Sequence, residues 1–248
     1  SAASDVYKRQ VDYNDTSVTQ NTRVSYPLNH INNALEPSVG GHPKHIFYLA
    51  ADAFGVMPPI SKLTPGQAMF HFISGYTAKV AGTEVGITEP KTTFSACFGA
   101  PFMPLHPTQY AELLGQRMRE HNVHVWLINT GWTGGSYGVG KRMKLSYTRA
   151  MITAAMQNQL NDVAYINHPV FGFAVPQSVP NVPSEVLNPR DTWSNKDEYD
   201  ATASKLAKAF LTSFEAYQSY ANEEIMAGAP KVITCLLYTS PSPRDRTR

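Results

Sequence analysis

The chain alternates between short apolar runs and longer segments in which apolar residues recur every three or four positions. Residues 46–51 and 123–128 are short apolar runs, which are typical of buried β-strands. The longer segments have the period of amphipathic α-helices, whose apolar residues face a core. Strands and helices alternating along one chain predict a mixed α/β domain.

Four segments have helical spacing, and two of them begin with a start signal. Thr64 precedes Pro65, and His106 precedes Pro107, so each segment has a proline at its first helical position. The predicted core faces are, in chain order, Phe70, Ile73, Tyr76, Thr77 and Val80; Tyr110, Leu113, Leu114, Arg117 and Met118; within residues 146–157, Thr148, Met151, Ile152 and Ala155; and within residues 197–226, Leu206, Phe210, Phe214 and Tyr217.

Residues 131–142 form a glycine-rich stretch between the second apolar run and the third helical pattern. The order strand, glycine-rich loop, helix aims backbone N–H groups at a nucleotide. Residues 135–141 fit the phosphate-loop spacing G-x-x-x-x-G-K, but Arg142 stands where Ser or Thr would hold magnesium. Arginine cannot ligand a cation. We therefore predict a loop that holds a nucleotide by its base or ribose and not by its triphosphate.

Two further features leave alternatives open. Asp52 lies at the carboxyl end of the first apolar run, where α/β sheets place ligand-binding groups, but the sequence alone favours the alternative that it caps the following turn. Residues 81–90 contain small residues, two glycines and a proline, which predict a loop. That loop is either a surface connection or a lid over a site.

The cysteine and histidines do not predict a nucleophile or a metal site. Cys97 has no charged neighbour in sequence to lower its pKa, so we predict a thiol packed in the core. His42 and His45, like His121 and His124, have no cysteine beside them, and metal sites usually need three or four convergent ligands.

The two ends of the chain match translated sequencing adapters, so we expect residues 1–10 and 235–248 to be adapter-derived tails. The chain holds 21 Lys or Arg and 19 Asp or Glu; the tails contribute five and two, which leaves 16 and 17. This balance does not predict a nucleic-acid partner. The sequence contains no apolar stretch of transmembrane length and no signal peptide, so we expect a cytoplasmic protein without a membrane partner.

Long strings of the sequence resemble ATP-dependent phosphoenolpyruvate carboxykinase. They include NTRVSYP, FYLAADAFGVMPPISKLT, TFSACFGAPF and NTGWTGGSYGVGKRMKLSYTRAMI, in the order of that family. The resemblance runs from residue 11 to about residue 231. It implies that residues 11–234 are part of the C-terminal ATP-binding catalytic domain of a two-domain α/β fold, truncated at its N-terminus.

The resemblance also implies a reaction. Enzymes of this gluconeogenic family decarboxylate oxaloacetate and transfer the γ-phosphoryl group of ATP to the enolate, which gives phosphoenolpyruvate, ADP and carbon dioxide. Magnesium accompanies ATP, and manganese or another divalent ion binds the enzyme. The family's phosphate loop and metal ligands precede the matched region, so we expect no metal ligand in this chain and no activity from the chain alone.

Individual site residues follow from the same resemblance. Arg23 matches an arginine that contacts both the transferring phosphate and the substrate, a role that suits a planar, permanently charged guanidinium; read alone, it is a solvated surface residue. Arg142 and Met143 match positions around the adenine, and Thr148 matches a threonine that contacts the nucleotide. The implied active-site lid contains Gly82, Thr83, Glu84, Gly86 and Glu89.

Two other functions remain as alternatives. One is a nucleotide-binding or interaction module without catalytic activity. The other is a different phosphoryl-transfer enzyme that uses residues 135–141 as its phosphate loop, which Arg142 opposes. The sequence does not predict an oligomeric state.

Overall fold

The computed structural model describes residues 26–79 and 89–232, and these form a mixed α/β fold as predicted. The strands are β1 (His45–Ala50), β2 (Ile60–Leu63), β3 (Tyr76–Lys79), β4 (Lys91–Phe94), β5 (His124–Asn129), β6 (Trp132–Thr133), β7 (Lys141–Arg142), β8 (Tyr165–Asn167) and β9 (Ala174–Pro176). The helices are α1 (Pro65–Ser74), α2 (Pro107–His121), α3 (Leu145–Met156), α4 (Ser184–Leu187), α5 (Pro189–Thr192), α6 (Lys196–Phe214) and α7 (Glu223–Ala227).

Five strands form the main sheet, in the order β1-β5-β2-β9-β8. The two strands predicted from apolar runs, β1 and β5, are adjacent and parallel, and Ala50 pairs with Asn129 at their carboxyl ends. Strand β9 is antiparallel to both of its neighbours, β2 and β8, and β2 is antiparallel to β5. Because β1 and β5 end side by side, the segments that follow them meet at the carboxyl ends of these two strands.

Side chains of β5 enter a different core on each face of the sheet. Val125 and Leu127 join the larger core, to which α1, α2, α6 and α7 contribute. Trp126 and Ile128 point to the other face and join a second core with Met151 of α3. This alternation is the period of two that a strand imposes, and apolar residues on both faces explain why the run is continuous.

The first strand is less buried than its apolar run predicts. Tyr48 is buried, whereas Leu49 has 57% of its surface exposed. Among the described strands β1 lies at the edge of the sheet, where only β5 pairs with it. An apolar run therefore predicted the strand but not its position in the sheet.

Helix α1 begins as predicted and ends earlier than predicted. Thr64 and Gln67 form a reciprocal capping box, with each side chain accepting from the other's backbone N–H. Gly75 ends the helix in the left-handed conformation at φ 53°. Tyr76 therefore begins β3, which pairs with β4 in an antiparallel hairpin. The prediction of one helical face from Phe70 onward was wrong for Tyr76 and Thr77, because spacings of three and four do not reveal where a glycine stops the helix, and Val80 lies outside the described residues.

Helix α2 buries part of the predicted stripe together with smaller residues. Met118 is buried and Leu114 packs partly buried against the larger core, as predicted, whereas Leu113 is half exposed. The other buried residues are Thr108, Ala111 and Gly115. Gly115 allows the close approach of α1, since a Cβ atom there would lie 2.5 Å from the Met69 sulfur. The buried face therefore includes small residues that the stripe of larger residues did not predict.

The later helical patterns are confirmed with one change at the C-terminal end. Met151 and Ala155 are buried in α3, and Phe210 and Phe214 are buried in α6. The predicted helix over residues 197–226 divides into α6, a 3-10 helix (Glu215–Tyr220) and α7. The side chain of Asn222 caps α7 by accepting from the Ile225 N–H, which starts a new helix there.

Cys97 is packed in the core, as predicted. Only 6% of its surface is exposed, and burial raises the pKa of its thiol to about 11. The thiol is therefore protonated at neutral pH, and its reactivity is low. Within the described ranges, none of the helices has the length and apolar content needed to cross a membrane.

We predict that Gly75→Ala lowers the free energy of unfolding by at least about 2 kcal/mol. The left-handed φ is strained for alanine, and its methyl group would collide with the backbone of Ser95. Denaturant titration measures the loss. Gly41→Ala is the matched control, because a Cβ atom at Gly41 meets nothing within 4 Å. Equal stability of both variants would contradict this account of where α1 ends.

Candidate functional site

The side chain of Asn129 joins the segments that meet at the carboxyl ends of β1 and β5. It is fully buried. Its Oδ1 accepts from the backbone N–H groups of Asp52 at 3.0 Å and Gly131 at 2.8 Å, and its Nδ2 donates to the Met57 carbonyl at 2.9 Å. One amide therefore fixes the turn after β1, the approach to β2 and the exit from β5.

Asp52 caps the turn after β1, which is the second of the two alternatives predicted from sequence. Its carboxylate is fully buried and accepts from the backbone N–H groups of Phe54, Val56 and Met57 at 2.7–2.9 Å. The Tyr76 hydroxyl donates to Oδ1 at 2.8 Å. Burial raises the pKa of Asp52, and these four hydrogen bonds act in the opposite direction. Four donors and no acceptor around the two oxygens favour the ionised form.

The glycine-rich stretch forms a β-hairpin and not a strand-to-helix loop. Strands β6 and β7 are antiparallel, with Trp132 opposite Arg142 and Thr133 opposite Lys141. The connecting loop covers residues 134–140, and β7 lies between this loop and α3. The predicted order of strand, loop and helix was therefore incomplete, because it omitted the hairpin.

Backbone N–H groups of this loop are used inside the protein. Val139 and Gly140 both donate to the Ser136 carbonyl, at 3.0 and 2.8 Å. Gly134 donates to the Thr192 hydroxyl at 2.9 Å. Because these N–H groups already have acceptors, the loop does not present them as a cradle for phosphate.

The hairpin packs backbone to backbone on the turn after β1. A Cβ atom at Gly55, whose φ is 73°, would overlap the Gly135 carbonyl. The Ser136 hydroxyl donates to the Phe54 carbonyl at 3.0 Å. Glycine at position 55 is thus required by both backbone conformation and space, and the contact holds the hairpin at the edge of the sheet.

Arg142 and Trp132 form a stacked pair on the hairpin. The guanidinium carbon lies 4.8 Å from the indole ring centroid, and Nε donates to the Thr130 carbonyl. Trp132 is buried against Ala51, Ala53 and Ala78, whereas Arg142 is exposed. The indole covers one face of the guanidinium, and a planar group can stack on the other. Partial burial lowers the pKa of Arg142.

The other two predicted nucleotide-binding residues follow Arg142 along the chain. Met143 is 7% exposed, and its N–H donates to the Gly131 carbonyl at 2.8 Å. Thr148 is also 7% exposed and lies in the first turns of α3. The structure thus brings Arg142, Met143 and Thr148 onto one continuous segment, and Arg142 is its exposed member.

Along the chain, the predicted lid lies between β3 and β4. Gly82, Thr83, Glu84 and Gly86 lie outside the described residues, and Glu89 is exposed just before β4. Ala78 of β3 belongs to the cluster around Trp132, and the Tyr76 hydroxyl is bonded to Asp52. The base of this hairpin therefore packs beside the Arg142 pair.

Trp132 is the residue of the candidate site that sequence reasoning missed. The sequence did contain a signal. Trp132 follows the end of β5 by three positions, and in a hairpin over this stretch it lies opposite Arg142. The glycine spacing alone suggested a phosphate loop, in which Gly135 and Lys141, and not the tryptophan, would be the functional residues. Arg23 lies outside the described residues, so its assigned role stays a prediction.

The histidine pairs lie at the opposite end of the strands. The rings of His42 and His121 are stacked with centroids 3.5 Å apart, and those of His45 and His124 are 5.6 Å apart. Over residues 26–79 and 89–232, no group of three or more His, Cys, Asp or Glu side chains is arranged to hold a metal ion.

The comparisons with known proteins all match members of one family. The sequence model of the phosphoenolpyruvate carboxykinase family matches residues 2–185. A phosphoenolpyruvate carboxykinase (ATP) of Flavobacterium johnsoniae is 66% identical over 221 residues, which cover 89% of this chain and 41% of that protein. Proteins of the same name from Christiangramia forsetii and Brucella anthropi are 63% and 57% identical, with 89% and 90% of this chain covered. The chain spans 41% and 42% of their lengths.

We predict that Asp52→Asn lowers the free energy of unfolding by about 2–4 kcal/mol. In either orientation of the amide its NH₂ would face at least one backbone N–H, that of Phe54 or those of Val56 and Met57, donor against donor. Removal of a buried charge acts in the opposite direction but does not restore the lost hydrogen bonds. Denaturant titration measures the change, with the exposed Asp162→Asn as a control expected to stay within about 0.5 kcal/mol. A variant more stable than the wild type would show that the turn does not need the carboxylate.

Proposed function

Because the chain belongs to the ATP-dependent phosphoenolpyruvate carboxykinase family, we propose that it forms the adenine side of the ATP site in such an enzyme. The proposed reaction converts oxaloacetate and ATP to phosphoenolpyruvate, ADP and carbon dioxide. The observation that carries the structural part of the proposal is the Arg142–Trp132 pair at the carboxyl edge of the sheet.

The pair suits a purine base. An adenine on the outer face of the Arg142 guanidinium would extend a stack that begins with the Trp132 indole. Cation–π contacts of this kind are worth about 0.5–2 kcal/mol, depending on how far water is excluded. The hydrogen bond from Nε to the Thr130 carbonyl holds the guanidinium plane in position for that contact.

The same geometry supports binding of the triphosphate outside the hairpin. The N–H groups of Gly134, Val139 and Gly140 already donate to protein oxygens. In the proposal, Arg23 contacts the transferring phosphate and the substrate, as the family resemblance implies. A bidentate guanidinium suits two neighbouring anions, and phosphoryl transfer depends on such charge stabilisation.

The divalent ions of the proposed reaction are not assigned to this chain. Its described residues do not form a group of three or more metal-binding side chains, so they do not fit such a site. We assign the metal ligands and the phosphate loop to the remainder of the relatives' length, since the chain covers 41% of the protein from Flavobacterium johnsoniae.

A second function is supported by the hairpin itself. The Arg142–Trp132 pair, beside a loop whose N–H groups already donate to protein oxygens, supports a module that binds adenine nucleotides without turnover. The isolated chain would then bind nucleotide and be inactive, and the chain joined to the remainder would be active. A phosphoryl-transfer enzyme with residues 135–141 as its phosphate loop is disfavoured by the hairpin.

We predict that Arg142→Ala weakens adenosine binding to this chain by roughly 3- to 30-fold, the value expected for one cation–π contact. Calorimetric titration with adenosine isolates the contribution of the base, because this ligand carries no phosphate. Arg149→Ala is the matched control, since Arg149 is an exposed arginine of α3 and its loss changes the net charge equally. Similar weakening by both variants would indicate general electrostatics and would remove the stacking assignment.

We predict that an enzyme restored to the relatives' length makes phosphoenolpyruvate from oxaloacetate and ATP, and that Arg23→Lys slows it by on the order of 10²–10³. A point charge does not follow the charge that spreads over several phosphoryl oxygens in the transition state, so kcat falls more than ATP binding. Steady-state kinetics with both substrates measures the two effects.

Arg149→Lys is the control for that experiment. A near-wild-type kcat in a folded Arg23→Lys enzyme would make Arg23 a surface residue. A restored enzyme that used GTP and ignored ATP would contradict the proposed reaction itself.

A further inference from the structure

A basic cavity lies at the amino end of β5, far along the strand from the candidate nucleotide site. Its volume is about 450 Å³, within the range of pockets for small molecules. Lys62 of β2, Arg119 of α2 and His124 of β5 line it, together with Asn122. Two strands and one helix thus contribute basic residues to the wall of one cavity.

The positive charge in this cavity is only partly neutralised. Lys62 forms no ion pair with a carboxylate among the described residues, and its Nζ lies 5.8 Å from the centroid of the Trp126 ring. Arg119 pairs with Glu224 at 3.0 Å, but both side chains are about half exposed. Among the residues that the structure describes, no Asp or Glu lines the cavity itself. An exposed pair of this kind is weak, so it leaves Arg119 able to contact a second anion.

The charge of Lys62 also affects the pKa values of two nearby histidines. His45 and His124 are opposite each other in β1 and β5, and burial followed by the charge of Lys62 lowers the pKa of both. The Trp126 Nε1–H donates to His45 Nδ1 at 3.2 Å, which suits a neutral ring. A bound anion would offset the charge of Lys62, so the pKa of His124 would rise on binding.

We propose that this cavity binds a small dianion, a phosphate group or a dicarboxylate, beside Lys62 and His124, with Arg119 and Asn122 as further donors from the α2 side of the cavity. Lysine supplies a point charge, arginine supplies a fork of N–H groups, and both match the oxygens of such anions. This inference does not depend on the proposed function, because the cavity lies at the other end of the strands.

Acidic residues line the neighbouring cavities as well as basic ones. A cavity of about 550 Å³ also includes Arg119, but Glu112 lines it as well. The cavity of about 470 Å³ beside α4 and α5 is lined by Glu185 and Asp191 together with Arg190. Carboxylates in those walls repel an anion, so binding is expected at the Lys62 cavity and not at the others.

Titration of the whole chain with inorganic phosphate, and separately with succinate, tests the proposal. The NMR signal of the His124 ring is followed at constant ionic strength, because salt screens such contacts. We expect a saturable shift and a raised pKa of His124 with at least one of the two anions. Phosphate alone would identify a phosphate group as the ligand class, and succinate alone would identify a dicarboxylate.

Matched variants locate the site. Lys62→Gln should weaken binding by about tenfold or more, as expected for loss of a charged hydrogen bond, and Lys62→Arg should retain most of it. Lys208→Gln, an exposed lysine of α6, should leave binding unchanged. Arg119→Gln is a second test on an exposed residue and should also weaken binding. No saturable shift with either anion, or equal affinity in the Lys62→Gln and Lys208→Gln proteins, would overturn the proposal.

Discussion

The buried amide of Asn129 is the interaction on which the functional end of the sheet depends. It is placed where two parallel strands end, and it satisfies two backbone donors and one backbone acceptor from three different segments. Loss of such a partner leaves buried polar groups unsatisfied, at a cost of about 1–3 kcal/mol each. The turn after β1 and the β6–β7 hairpin therefore share one anchor, and neither can shift without disturbing the other.

Asp52 extends that anchor towards the predicted lid. Its backbone is bonded to Asn129, and its carboxylate is bonded to Tyr76 at the start of β3. Trp132 adds a second connection, because it packs against Ala78 of the same strand. The Trp132 indole, the turn after β1 and the base of the β3–β4 hairpin thus form one continuous network of buried polar and apolar contacts. Such networks favour a single arrangement when every group is satisfied.

Local features of the sequence predicted the strands β1 and β5, the start of α1 and the buried face of α3, because capping residues and periodicity act over a few positions. Features that depend on distant pairing were not predictable in this way. Gly75 ends α1 where spacing alone continues it, and the small residues of α2 are buried because Met69 lies against Gly115. At the site, Arg142 followed from family resemblance, whereas Trp132 required knowledge of the hairpin register.

The contact between Arg142 and Trp132 affects the entropy that the arginine side chain loses when a ligand binds. A free arginine side chain has about 2 kcal/mol of rotamer entropy to lose. Here the Nε hydrogen bond and the indole surface restrict the guanidinium during folding, before any ligand arrives. A flat ligand then gains its stacking contact without ordering the arginine. With a base bound as proposed, the same rigidity would favour a planar ligand over one that is not planar.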